Sequence, residues 1–218
     1  MKFLGFIIGA DGIKVDPDKI KAITAWPQPT DIGELRSFLG IATYFRRHIR
    51  GFAHITTPLT ALLKDAAKFI WSAACTEAFT NIKHALTHAP VLALPDFTET
   101  EPDSKKLKYP FTVICDASNV ALGALLLQNE HPVAYESRKM IAAELNYITT
   151  EQELLAVVHA FTVWRCYLEA DNFTVVTDHN PLTFFQTKAT LSRRQLRWQE
   201  FISIQIQLGT LARQDQCS

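Results

Sequence analysis

The chain has 218 residues, with 22 lysines and arginines, 22 aspartates and glutamates, and 48% apolar residues. That length suits one or two domains, and that apolar fraction can build a core without disulfides or a structural metal. A formal net charge of zero argues against a nucleic-acid packaging protein, which would be strongly basic, but leaves room for a nuclease with a local basic face beside an acidic site.

Residues 3–15 read as a hairpin: Phe3-Leu-Gly-Phe-Ile-Ile is β-prone, Ala10-Asp-Gly12 is a turn, and Ile13-Lys-Val resumes the strand. A short helix over 17–26 follows and is broken by Pro27-Gln-Pro29. Asp31 with Glu34 three residues on predicts the N-terminus of a longer helix, whose apolar positions Ile32, Leu35, Phe38, Leu39, Ala42, Phe45 and Ile49 recur at helical spacing. Arg36, Arg46, Arg47 and Arg50 fall on its other side. Thr57-Pro58 predicts a cap with proline at the first helical position and a helix to Leu63. Ser72 caps another, with Cys75, Ala78, Phe79, Ile82 and Leu86 on one face, and Pro90 and Pro95 close this helical region. The polar stretch 96–108 lacks periodicity and reads as a linker between a first unit, 1–95, and a second, 109–207.

In the second unit, strands are expected at 109–116, 121–127, 131–137 and 173–177, and helices at 150–168 and 181–185. A basic helix-prone run follows at 193–201, and 208–218 is a divergent tail. Mixed strands interrupted by a helix predict an α/β layer, α+β overall, with helices packed on a mixed sheet. The four cysteines, Cys75, Cys115, Cys166 and Cys217, form no C-x-x-C pair and read as reduced thiols of an intracellular protein. No apolar run is long enough to span a membrane, and the start lacks a secretory pattern, so a cytoplasmic or nuclear location is expected.

Three carboxylates sit at informative places. Asp116 ends the β-type run Phe111-Thr-Val-Ile-Cys-Asp116, and Asp178 ends Phe173-Thr-Val-Val-Thr-Asp178. Glu153 opens a helical run on the side that carries Val157, Ala160, Phe161 and Trp164. Each has an ordinary reading: Asp116 and Asp178 as turn residues, Glu153 as the last member of a Thr150-Glu-Gln-Glu153 capping box. Together they offer hard oxygen donors from three separate elements, which suits a divalent metal with room for a phosphate. His179 fits a metal ligand, a general acid or a polar rim residue. His84 and His88 lie one helical turn apart, but Ala85 stands where a zinc protease needs glutamate, so a polar helix face is the simpler reading.

Longer motifs carry a resemblance. Phe3-Leu-Gly-Phe-Ile-Ile, Asp11-Gly-Ile-Lys-Val-Asp-Pro, Trp26-Pro-Gln-Pro and Glu34-Leu-Arg-Ser-Phe-Leu-Gly-Ile-Ala-Thr-Tyr-Phe-Arg-Arg-His-Ile occur in order. Cys115-Asp-Ala-Ser118, Ser137-Arg-Lys139, Glu153-Leu-Leu-Ala-Val-Val and Thr177-Asp-His-Asn-Pro-Leu182 follow. The series resembles Ty3/gypsy-type retrotransposon polyproteins, from the end of reverse transcriptase through the ribonuclease H-like domain.

The resemblance implies a ribonuclease H-like mixed sheet, preceded by a mainly helical thumb and connection region with an N-terminal, primer-gripping hairpin. It implies Asp116, Glu153 and Asp178 as catalytic and metal-binding carboxylates for two Mg²⁺ ions, with Mn²⁺ as a substitute, and hydrolysis of the RNA strand of an RNA–DNA hybrid. Nucleic-acid contacts are expected from Arg36, Arg46, Arg47, Arg50, Ser118, Arg138, His179, Arg193, Arg194 and Arg197. Its implied partners are a hybrid or other nucleic-acid duplex and the rest of a retroelement polyprotein (polymerase palm and fingers, integrase), with no membrane. The polymerase Tyr-x-Asp-Asp motif is absent, and Asp215 does not stand in the Ala-Asp-Ala-Leu-Ser context of the family's fourth carboxylate. The alternative expectation is a catalytically inactive or co-opted remnant that binds nucleic acid or protein.

Overall fold

In the computed structural model, the residues described are 1–64, 69–98, 100, 106–169, 173–177, 190–206 and 210–213. They fall into two units, Met1–Leu94 with Ala134–Ser137, and Pro95–Val133 with Arg138–Ser218.

The first unit opens with a small antiparallel sheet, β1 (Lys2–Phe3), β2 (Phe6–Gly9) and β3 (Gly12–Val15), in the order β1-β2-β3. Gly12 turns the chain with φ +119°, and a Cβ there would lie 2.2 Å from the Leu92 carbonyl oxygen. That close approach lets Ile13 and Leu92 exchange backbone hydrogen bonds of 2.7 and 2.9 Å. Helix α1 (Pro17–Thr24) starts at the Asp16 cap, and α2 (Ile32–Tyr44) at Asp31, whose carboxylate accepts from the Glu34 amide at 2.8 Å. The Glu34 carboxylate reaches back to the Thr30 amide at 2.7 Å.

Helix α2 ends at Tyr44, short of the Ile49 that apolar spacing predicts. A 3₁₀ turn, Arg46–His48, takes over, and its three-residue repeat places Phe45 and His48 on one buried side. Helices α3 (Phe52–Ile55), α4 (Thr57–Leu62) and α5 (Ala73–Thr87) complete the unit. Thr57 is the first residue of α4 rather than its cap, because α3 runs almost directly into α4 and the Thr57 hydroxyl donates back to the Ala53 carbonyl at 3.0 Å. The core joins Leu35, Phe38, Leu39, Ala42, Phe45 and Ile49 to Leu59, Cys75, Phe79, Ile82 and Leu86.

In the second unit, β4 (Phe111–Ala117), β5 (Ala121–Gln128), β6 (His131–Lys139), β7 (Phe173–Thr177) and β8 (Thr210–Arg213) form a sheet of order β6-β5-β4-β7-β8. β4 and β5 are antiparallel, whereas β4–β7 and β7–β8 are parallel. The two-residue turn into β6 has left-handed Asn129 and Glu130, the conformation that matches strand twist in a tight hairpin. Helix α6 (Thr149–Val163) packs on β4 and β5, α7 (Arg165–Leu168) follows, and α8 (Arg193–Ile206) packs on α6.

The single helix expected over 150–168 is therefore two, parted at the buried Trp164. Residues at the ends of the predicted linker are held to this unit. The Gln128 side chain accepts from the Asp96 amide and donates to the Asp96 and Tyr109 carbonyls, at 2.8, 2.6 and 3.0 Å, and Leu107 is buried. The predicted helix at 181–185 and most of the tail lie outside the described residues.

Candidate functional site

Strand alternation divides β4 between two faces. Phe111, Val113 and Cys115 are buried on one face, and Phe111 and Val113 pair in parallel register with Phe173 and Val175. The Phe173 ring meets Phe161 of α6 edge-on at 5.4 Å, so α6 covers that face. Asp116, next along the strand, projects to the other face near the strand's C-terminal end and is exposed. Its partner across the ladder is Gly123.

Glu153 stands in the second turn of α6 and is only 4% exposed. The capping box predicted for it does not form: α6 begins at Thr149, its cap position is Ile148, and no side chain caps it. Helix start and burial thus separate Glu153 from the local role that sequence offered. Cys115 links the two carboxylates. Burial pushes its thiol pKa up, and the charges of Glu153 and then Asp116 push it further the same way. Both carboxylates are therefore within electrostatic reach of one buried sulfur, although they come from a strand and a helix. β7 ends at Thr177. Asp178 and His179, next in sequence, lie outside the described residues.

The donor set is chemically suited to a hard divalent cation: carboxylate oxygens on rigid elements, with the nearby thiol kept protonated and so withdrawn from competition as a soft ligand. Among the described residues no group of three or more His, Cys, Asp or Glu side chains is gathered for a metal. Of the three expected carboxylates, the described residues hold Asp116 on β4 and Glu153 on α6. His84 and His88 stack on each other at 4.1 Å on an exposed face of α5, and the His88 Nδ1 contacts the His84 carbonyl at 2.9 Å.

The expected nucleic-acid contacts divide by environment. Arg46 pairs with the buried Glu136, and the guanidinium of Arg138 donates to both oxygens of Glu144 at 2.8 and 3.1 Å. Burial works to raise the Glu144 pKa, but Arg138 and the Ile141 amide outweigh it and the net direction is down. Arg194 donates to Glu151 at 2.9 Å and lies 3.8 Å over the Tyr147 ring, while Gln195 donates to the same Glu151 oxygen. The Ser118 hydroxyl closes the β4–β5 turn by donating to the Ala121 carbonyl at 3.0 Å. Arg36, Arg47 and Arg50 in the first unit, and Arg193 and Arg197 in the second, are exposed. Sequence reasoning missed the Glu151–Arg194 pair, which no local pattern signals.

Residues 106–204 match the model of the RNase H-like domain found in reverse transcriptase. The chain is 40% identical over 202 residues to the Pol polyprotein from transposon 297 of Drosophila melanogaster, covering 92% of this chain and 18% of the relative. It is 36% identical over 208 residues to that from transposon gypsy of the same organism, covering 93% of this chain and 20% of the relative. The Transposon Tf2-3 polyprotein of Schizosaccharomyces pombe is 36% identical over 211 residues, covering 93% of this chain and 15% of the relative.

The chain thus spans about a fifth or less of the curated relatives it matches. The fold is that of the foamy viral protease-reverse transcriptase bound to double-stranded DNA, with a TM-score of 0.82 and 21% identity over 100% of this chain and 38% of that one. The same viral protein in complex with RNA/DNA hybrid gives 0.79, also at 21% identity, over 100% of this chain and 29% of that one. The chain is homologous over most of its length to retrotransposon Pol polyproteins, and residues 106–204 belong to the RNase H-like domain family of reverse transcriptases.

Proposed function

We propose that the second unit hydrolyses the RNA strand of RNA–DNA hybrids with a divalent cation, Asp116 and Glu153 supplying oxygen ligands and Asp178 a third by resemblance. The observation that carries this reading is the placement of Asp116 at the C-terminal end of β4 and of buried Glu153 near the start of α6, the helix that packs on β4. Two Mg²⁺ ions, when bound, would activate a water and stabilise the departing 3′ oxygen. Glu153, fixed by burial in a helix, holds its donor in place, while exposed Asp116 presents its donor where a phosphodiester can arrive. Arg193 and Arg197 of α8 are exposed and suited to phosphates, as are Arg36, Arg47 and Arg50 of the first unit. Arg46, Arg138 and Arg194 already hold internal carboxylates, so phosphate binding falls chiefly to the exposed set. In a longer polyprotein, polymerase and integrase regions would be covalent partners; polymerase activity is not assigned to this chain.

The test is cleavage of a labelled RNA–DNA hybrid in Mg²⁺ by the parent chain, Asp116→Asn and Glu153→Gln. Cleavage by the parent and its loss in both variants, with melting preserved, is the expected result. Equal cleavage by parent and Asp116→Asn, or none by a folded parent, would sink the reading.

A further inference from the structure

Gly123 sits inside β5, between Leu122 and Ala124, in a strand whose other residues are Ala, Leu and one terminal Gln. A glycine there weakens a strand, and three physical causes favour one in such a place: a left-handed backbone, a bulge, or the close approach of another group. The first does not apply, because the glycines with positive φ are Gly5, Gly12 and Gly51. Nor does the second: the ladder runs without interruption through Cys115↔Ala124, Asp116↔Gly123 and Ala117↔Leu122. The described residues do not crowd the position either. Among the described residues, a Cβ at Gly123 would meet one atom within 4 Å, the Asp116 carbonyl oxygen at 3.8 Å, an ordinary contact.

Among the described residues, then, nothing fills the position, and approach from outside accounts for it. Residues directly paired in an antiparallel ladder project to the same face, so the space left by the missing side chain stands beside the Asp116 carboxylate. We propose that Gly123 is a clearance residue, and that the sugar–phosphate backbone of the nucleic-acid strand held at Asp116 crosses β5 at this point. The inference rests on the reading of Asp116 as a substrate-site carboxylate and adds where the polyanion passes. It also separates folding from function, since a side chain at 123 fits among the described residues and removes a strand-weakening glycine while obstructing the substrate.

The experiment measures binding of a fluorescent RNA–DNA hybrid to the whole chain, with Gly123→Ala and Gly123→Val beside the parent. Thermal melting and Mn²⁺ binding are followed in parallel. Both variants are expected to melt at or above the parent temperature and to keep Mn²⁺ binding. Hybrid Kd should rise about three-fold for alanine and at least about ten-fold for valine, as steric exclusion from a fixed surface predicts. Hybrid affinity within about two-fold of parent in a stably folded Gly123→Val overturns the proposal. So does loss of Mn²⁺ binding in that variant, which would give the space to the metal rather than to the strand. Should valine lower the melting temperature, the decision passes to alanine, where an unchanged Kd overturns the proposal. Hybrid binding is read without cleavage, so a parent chain that binds but does not cut defeats the proposed activity and leaves this comparison readable.

Discussion

The helical part of the first unit and helix α6 of the second bury polar groups in different ways. Among the described residues of 1–94 the buried polar side chains are Asp16, His48 and Thr56, and two of these serve their own neighbourhood. Asp16 caps α1 by accepting from the Asp18 amide at 3.1 Å, and the Thr56 hydroxyl donates to the Phe52 carbonyl at 2.9 Å. Helix α6 instead buries Glu151, Gln152 and Glu153 in succession. Glu151 is answered by Arg194 and Gln195, 43 and 44 residues further along the chain. An acid buried against a cation is architecture. Glu153 is, on the proposed function, a donor to a cation instead.

The sharpest way to break that comparison is to neutralise the two glutamates separately. On the proposed function Glu153→Gln removes a buried cation donor while keeping its shape, so hybrid cleavage should fall at least about 100-fold with the fold retained. If Glu153→Gln cuts like the parent, the contrast with Glu151 has no functional content.

The first unit has its own fixed point. Gly12→Ala would place a Cβ 2.2 Å from the Leu92 carbonyl oxygen in a backbone with φ +119°, so the turn or the Ile13–Leu92 bridge must yield. A loss of about 2–3 kcal/mol is expected from strain of this kind, read by urea denaturation, with early exchange of the Ile13 and Leu92 amides. Glu151→Gln should have the smaller cost of about 1–2 kcal/mol. It leaves the Arg194 guanidinium against Tyr147 without its carboxylate, but about a third of that side chain is in solvent, which screens the loss. Cleavage by Glu151→Gln should stay within a few-fold of parent, the opposite of Glu153→Gln.

Legibility from sequence followed the range of the forces involved. Asp31 with Glu34, the apolar face from Leu35 to Ala42, and the face from Cys75 to Leu86 are local patterns, and local hydrogen bonds and burial obey them. The strand ending in Asp116 was equally plain, because alternation and the turn chemistry of Asp-Ala-Ser-Asn lie within ten residues. The end of α2 at Tyr44 and the break at Trp164 were not, since each depends on which side chains the core accepts in three dimensions. The capping box failed for a related reason. Thr150 and Glu153 have the right spacing, but α6 starts one residue earlier and Glu153 is taken up by the packed sheet. No local rule could tell Glu151 from Glu153, because Arg194 reaches Glu151 through tertiary structure alone.

The gentlest test of the comparison uses acid. His48 is 3% exposed and stacks on Phe6 at 5.4 Å. Burial drives its pKa below the ordinary 6.5; the Ile13 backbone opposes this, and the Arg47 charge adds to it. Below about pH 6.5 the unfolded chain takes up a proton that the folded chain refuses, so stability is full above that pH and declines as pH falls toward the folded pKa. One such group gives a slope of at most about 1.4 kcal/mol per pH unit. Glu144 also has a lowered pKa, but its contribution is full above the ordinary 4.5 and is lost only below it. Segment-resolved hydrogen exchange between pH 7.5 and 5 should therefore loosen β2 and the Arg46–His48 turn before β6 and the Glu144 turn. His48→Phe keeps an aromatic against Phe6 and removes the titrating nitrogens, so it should flatten the early loss. An unchanged slope in that variant would move the acid response to other groups and leave buried His48 a matter of packing alone.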